Sequence, residues 1–128
     1  MAIIFAINDG KNAVNVSSIS VMAVDYIQRN FTEAISLDNL AEKLGISPFY
    51  LSKIIKRSTG RNFTDLISEL RIEKARELLK TDLSIKEVTY KSGFNSQNYF
   101  SKIFRKYVGV TPTEYKSLQF GKKWEEDR

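Results

Sequence analysis

Apolar residues recur along this chain at spacings of three and four, the period of a helix with one buried face. Val21, Val24, Ile27 and Phe31 make the first stripe, on a helix that Ser17 or Ser18 can cap and that ends near Asn30. Residues 32–35 connect it to a short helix, Leu37 to Leu44, capped by Ser36. Leu37, Leu40, Ala41 and Leu44 face inward there, and Gly45 stops it. Ser47 caps the next helix, with Pro48 at the first position, where a missing N–H costs nothing. This helix runs to about Ser58 and stops at Gly60. Helix, glycine turn, helix is the order of a helix-turn-helix.

The longest periodic run follows, Thr64 to Lys80, with Leu66, Ile67, Leu70, Ala75, Leu78 and Leu79 inward. At ~1.5 Å per residue it predicts a rod of roughly 25 Å. Ser84 and Glu87 form a capping box that opens another short helix, with Ile85 and Val88 inward and Gly93 at its end. A further helix spans the stretch from Gln97 to Gly109, with Tyr99, Phe100, Ile103, Phe104 and Tyr107 on its apolar face. Thr111 and Glu114 make a second capping box around Pro112, starting a last short helix through Tyr115 and Leu118.

The pattern repeats. Ser36-Leu37-x-x-Leu40…Gly45-Ile46-Ser47 matches Ser84-Ile85-x-x-Val88…Gly93-Phe94-Asn95 at an offset of 48. The run Tyr50 to Arg57 then matches Tyr99 to Lys106 at an offset of 49, and Gly60 matches Gly109. One extra residue has entered the turn of the second copy. The expected fold class is all-α, with seven helices in a double helix-turn-helix. Its parts are a leader and linker (1–19), a first lobe with its supporting helix (20–62), a linker helix (63–82), a second lobe (83–119) and a flexible charged tail (120–128). Met1 to Ile7 is expected as a packed or loosely attached leader, and Trp124 has no assigned role.

Charge adds a partner to this picture. The net charge is +5 and the pI about 9.4, with the excess in residues 36–128. No acid lies between Glu42 and Asp65, a window that holds Lys43, Lys53, Lys56, Arg57 and Arg61. None lies between Glu87 and Glu114, where Lys91, Lys102, Arg105 and Lys106 stand. A generic solvated surface mixes the signs. Two basic helix faces that exclude carboxylates point to double-stranded DNA. Cys and His are both absent, which removes disulfides, thiol chemistry, Cys/His zinc sites and histidine acid–base catalysis. No enzyme activity, metal or cofactor is therefore expected. No apolar run reaches the roughly 18 residues of a membrane span, and a cytoplasmic location is allowed.

The stretch Gly93-Phe94-x-x-x-x-Tyr99-Phe100-Ser101-x-x-Phe104-Arg105-Lys106-x-x-Gly109-x-Thr111-Pro112-x-Glu114-Tyr115 resembles the signature of AraC/XylS-family bacterial transcription regulators. Leu40-Ala41-x-x-Leu44-Gly45-x-Ser47-x-x-Tyr50-Leu51-Ser52 and Arg71-Ile72-x-x-Ala75-x-x-Leu78-Leu79 support the resemblance, which covers residues 20–118. It implies two helix-turn-helix lobes joined by a long helix. Thr89 stands where the family most often has Ala, and Lys53 and Lys102 stand where many members carry Arg. Lys keeps the charge without the planar fork that grips guanine in a bidentate way.

Site residues follow from the outward faces. Pro48, Phe49, Ser52, Lys53 and Lys56 on the first recognition helix are expected to read bases, Lys53 a guanine and Phe49 a thymine methyl group. Gln97, Asn98, Ser101 and Lys102 do so on the second. Gln97 and Asn98 can each pair with adenine N6 and N7. Phosphates are expected at Arg57, Arg61, Lys91, Arg105 and Lys106, and at the helix N-termini near Ser36, Ser84 and Thr111. The rod plus the widths of its flanking helices can separate two recognition helices by about the ~34 Å of one DNA turn, for successive major grooves. RNA polymerase is a compatible second partner. This domain is expected as a monomer, whether it stands alone or is cut from a longer parent able to dimerise. The alternative is a helical protein-interaction module with only non-specific affinity for DNA.

Overall fold

A computed structural model describes residues 12–126, with side chains for 16–120, and has seven helices among the described residues. They are α1 (Asn12–Asn30), α2 (Leu37–Leu44), α3 (Pro48–Thr59), α4 (Phe63–Leu78), α5 (Ile85–Lys91), α6 (Gln97–Val108) and α7 (Pro112–Glu126). No strand occurs among the described residues. The fold is all-α, and the chain divides into two compact units, residues 1–67 and 68–128, with α4 running through the boundary.

In the first unit α1 packs on both α2 and α3, and α2 on α3. Ile19, Ala23 and Ile27 of α1 are fully buried, as are Ala41, Leu51 and Ile55. The buried stripe of α1 differs from the expected one. Val21 is 67% exposed, and Ala23 takes the central place. A small side chain lets neighbouring helices approach closely, so packing selected alanine over the larger valines. The helix also begins earlier than a cap at Ser17 or Ser18 allows, because nothing in Asn12–Asn30 is a glycine or proline. The leader Met1 to Ile7 lies outside the described residues.

The second unit is built on an aromatic ladder. Phe94 and Phe100 have ring centres 5.1 Å apart, Phe100 and Phe104 5.7 Å, and Phe104 and Tyr115 5.5 Å. Ile72 and Ala75 of α4, Leu79 just past its end and Val88 of α5 close the same core. Burying one such ring is worth roughly 1.5–3 kcal/mol, and each edge-on pair adds about 0.5–1.5 kcal/mol. The guanidinium of Arg71 lies 5.8 Å from the Phe94 ring; burial pushes its pKa down, and nearby Tyr99 partly opposes that shift. Thr89 is fully buried, yet its Oγ1 donates to the Ile85 carbonyl at 2.8 Å, so the hydroxyl is satisfied inside the helix.

The local signals of the repeat become matching geometry. Gly45 N–H donates to the Glu42 carbonyl and Ile46 N–H to that of Ala41; Gly93 donates to Tyr90 and Phe94 to Thr89. Both turn glycines have positive φ, 71° and 104°, a conformation that side chains with a Cβ seldom adopt. Past the turn the caps are Ser47 and Ser96, whose hydroxyls accept from the amides of Tyr50 and Tyr99. Ser96, rather than Asn95, is therefore the partner of Ser47, and Asn95 is the inserted residue.

The linker helix starts at Phe63, where Asn62 Oδ1 accepts from Asp65 N–H at 2.8 Å, and ends at Leu78. Both capping boxes are present, Ser84 with Glu87 and Thr111 with Glu114. The last helix was expected to stop near Leu118. Its backbone instead remains helical to Glu126, through most of the expected flexible tail. The side chain of Trp124 lies outside the described ones.

Candidate nucleic-acid interface

The first turns of the six helices after α1 divide them into two kinds; α1 also lacks a first-turn acid, but its last turn holds a single basic residue, Arg29, paired with Asp25. Asp38 stands in the first turn of α2, Asp65 in α4, Glu87 in α5 and Glu114 in α7. Each acid compensates the positive end of its helix dipole. The first turns of α3 and α6 hold no acid. These two ends present uncompensated partial positive charge and are followed by basic last turns, Lys56 and Arg57 on α3, Arg105 and Lys106 on α6. An anionic partner completes such ends.

On α3, Pro48 occupies the first turn and Phe49 is 59% exposed, unusual for a ring that size. Lys53 Nζ sits 4.4 Å from the centre of that ring. Ser52 Oγ donates to the Phe49 carbonyl at 3.0 Å, so its proton is committed and its lone pairs are what it can offer outward. Lys56 lies apart, in the last turn, where Nζ reaches the Gly60 carbonyl at 3.3 Å. An open, shallow depression is lined by Ser52, Lys53, Lys56, Arg57 and Asn62, with no carboxylate among them.

On α6, Gln97 and Asn98 are exposed at the first two positions, Ser101 is half-buried and Lys102 is exposed one turn on. Phe100 and Phe104 hold the opposite face in the core. Tyr99 was expected on that apolar face. It is 46% exposed, its ring 6.2 Å from Phe94, which adds an aromatic surface beside Gln97 and Asn98. Tyr90 on α5 is also exposed, and nothing in the periodicity singled it out.

The phosphate candidates separate in the same way. Arg57, Arg61, Lys91, Arg105 and Lys106 are all exposed. Ser36, Ser84 and Thr111 cap their helices, but an acid already stands in each first turn. Glu87 Oε1 accepts from Ser84 N–H at 3.2 Å and Glu114 Oε1 from Thr111 N–H at 3.1 Å. Those backbone bonds, followed by the cap hydroxyls, hold both carboxyls below their ordinary pKa. They are charged at neutral pH, and a carboxylate stands where a phosphate would have to come. Among the described residues no cluster of His, Cys, Asp and Glu is arranged to hold a metal.

Fold and site together define a double helix-turn-helix domain. Residues 40–117 match the family described as Helix-turn-helix domain. A regulator from Pseudoalteromonas carrageenovora, named an uncharacterized HTH-type transcriptional regulator, is 37% identical over 73% of this chain and 56% of its own length. The C-terminal domain of AraT, a response regulator from Geobacillus stearothermophilus, superposes with a TM-score of 0.75 at 41% identity, over 78% of this chain and 84% of that one. The DNA-binding domain of AdpA, solved in complex with a target DNA, shares the fold with a TM-score of 0.76 at 23% identity, over 80% of this chain and 93% of its own. The chain belongs to the AraC/XylS helix-turn-helix family of DNA-binding domains from bacterial transcription regulators, a non-enzymatic family. It spans 31% to 56% of the length of three curated relatives.

Proposed function

We propose that this chain binds double-stranded DNA at a specific sequence as the DNA-reading part of a transcription regulator, with α3 and α6 each entering a major groove. The observation that carries this reading is an acid-free first turn combined with two basic residues in the last turn, found in α3 and α6 and in no other described helix: α1 lacks the acid but ends on Arg29 alone, and α2, α4, α5 and α7 each have the acid. Relatives named as transcription regulators and the DNA bound to the AdpA domain support it.

Phe49, Ser52 and Lys53 then read bases from α3, beside Pro48, and Gln97, Asn98, Ser101 and Lys102 from α6. With its proton committed, Ser52 suits an amino group, cytosine N4 or adenine N6. Lys56, turned towards the C-terminal loop, joins Arg57, Arg61, Lys91, Arg105 and Lys106 on phosphates. Ser36, Ser84 and Thr111 drop out of the phosphate set because of the acids beside them. The two reading faces are unlike, so one protomer reads a non-palindromic site. RNA polymerase as a second partner, a monomeric domain and a cytoplasmic location complete the proposal; no described helix is long and apolar enough to cross a membrane.

Selection from a random duplex library by the purified chain tests this. Two unlike sequence blocks about one helical turn apart, with affinity falling steeply as salt rises, are expected. A selection without enrichment at any salt would favour the protein-interaction module instead.

A further inference from the structure

The two recognition helices carry a lysine at the same place, Lys53 and Lys102, yet the two stand in different surroundings. Phe49 lies one turn before Lys53, its ring centre 4.4 Å from Nζ. One turn before Lys102 stands Asn98, and among the described residues no aromatic ring is placed against Lys102. We propose that Phe49 is a positioning residue that fixes Lys53 for guanine, and that Lys102, lacking such a ring, leaves specificity on α6 to Gln97 and Asn98. The proposal rests on the reading of Lys53 as a guanine contact.

A lysine side chain swings about four bonds, and ordering it on a base edge opposes binding. A ring that already holds the ammonium in the free protein removes part of that opposition. One face of the ammonium meets the ring, and its remaining N–H donors point outward, enough for O6 and N7 of one guanine. Closing the interface then strips water from the pair, which strengthens the attraction between cation and ring. Phe49 is exposed rather than buried in the core, so the ring is available for this role without being needed for folding.

The test uses duplexes selected by the chain itself, with the guanine pair of one block changed in turn to each other base pair, and binding read by fluorescence anisotropy. Lys53→Ala identifies the block and the guanine. Phe49→Leu keeps an apolar contact for a thymine methyl group but has no π face; Phe49→Trp keeps the face. The expected result is that Phe49→Leu lowers discrimination for that guanine by about tenfold, within the usual range for one good base contact. Phe49→Trp should retain it, and Phe49→Leu should add nothing in a Lys53→Ala background. Thermal melting should show all variants folded. Full guanine discrimination in Phe49→Leu, with loss confined to a thymine, overturns the positioning role and leaves the reading of Lys53 intact. Guanine discrimination that survives Lys53→Ala at every guanine removes the reading itself.

Discussion

Ser96 stands in the second copy where Ser47 stands in the first, each hydroxyl accepting the amide three residues on at 3.2 Å and 3.1 Å. The turn before Ser96 is one residue longer, and Asn95 is the addition. Ser96→Ala should therefore cost about 1 kcal/mol of stability, the usual worth of an N-cap. Asn95→Ala, at an exposed turn position, should stay within about 0.5 kcal/mol. Urea unfolding of the two variants separates them, and a larger loss in Asn95→Ala would reverse the assignment.

Thr89 is fully buried between its neighbours. Its hydroxyl bonds only within its own helix, and removing it leaves the Ile85 carbonyl its backbone partner. Thr89→Ala should change stability by less than about 1 kcal/mol. Phe104→Ala, which opens a hole in the aromatic ladder, should cost about 3–5 kcal/mol by the same measurement.

Acid should weaken the fold through the two capping boxes. Glu87 and Glu114 have carboxyl pKa values lowered from 4.5 in the folded chain, so the unfolded chain binds protons first. Their contribution is complete above about pH 4.5 and is lost as pH falls through the lowered folded values. Glu87→Gln with Glu114→Gln keeps a carbonyl acceptor and removes the titration. Melting temperature against pH should fall less steeply below pH 4.5 for this double variant than for the parent.

Phosphate and base contacts leave different signatures. Arg105→Ala should weaken binding to all sequences alike and lower the salt slope by about 0.9. Gln97→Ala should leave that slope unchanged and relax preference at one base pair, worth about 1–3 kcal/mol. Anisotropy titrations at several salt concentrations distinguish them.

The sequence made most of this fold legible because its signals are local. A cap serine, a turn glycine and a proline at the first helical position each act within one turn, and they recur with the repeat. The buried phase of α1 was not legible, because Ala23 is selected by the helices packed on it rather than by its own apolarity. Tyr99 deceived for a related reason: its ring suits the apolar face, but its neighbour Phe100 fills the core and turns it outward. Gly121 suggested an end to α7, yet a glycine costs a helix only about 1 kcal/mol. The acid-free windows were visible in the sequence. Their meaning sharpened only when each acid was placed at a particular helix start.

Asn98→Asp is nearly isosteric and gives α6 the first-turn acid that α2, α4, α5 and α7 already have. Against the helix dipole that charge should keep or raise the melting temperature, by about 0.3–1 kcal/mol in stability. Against DNA it should lower affinity for a selected duplex at least about tenfold, the cost of losing one good base contact. A variant that is as stable as the parent and binds that duplex equally well would contradict the placement of α6 on DNA.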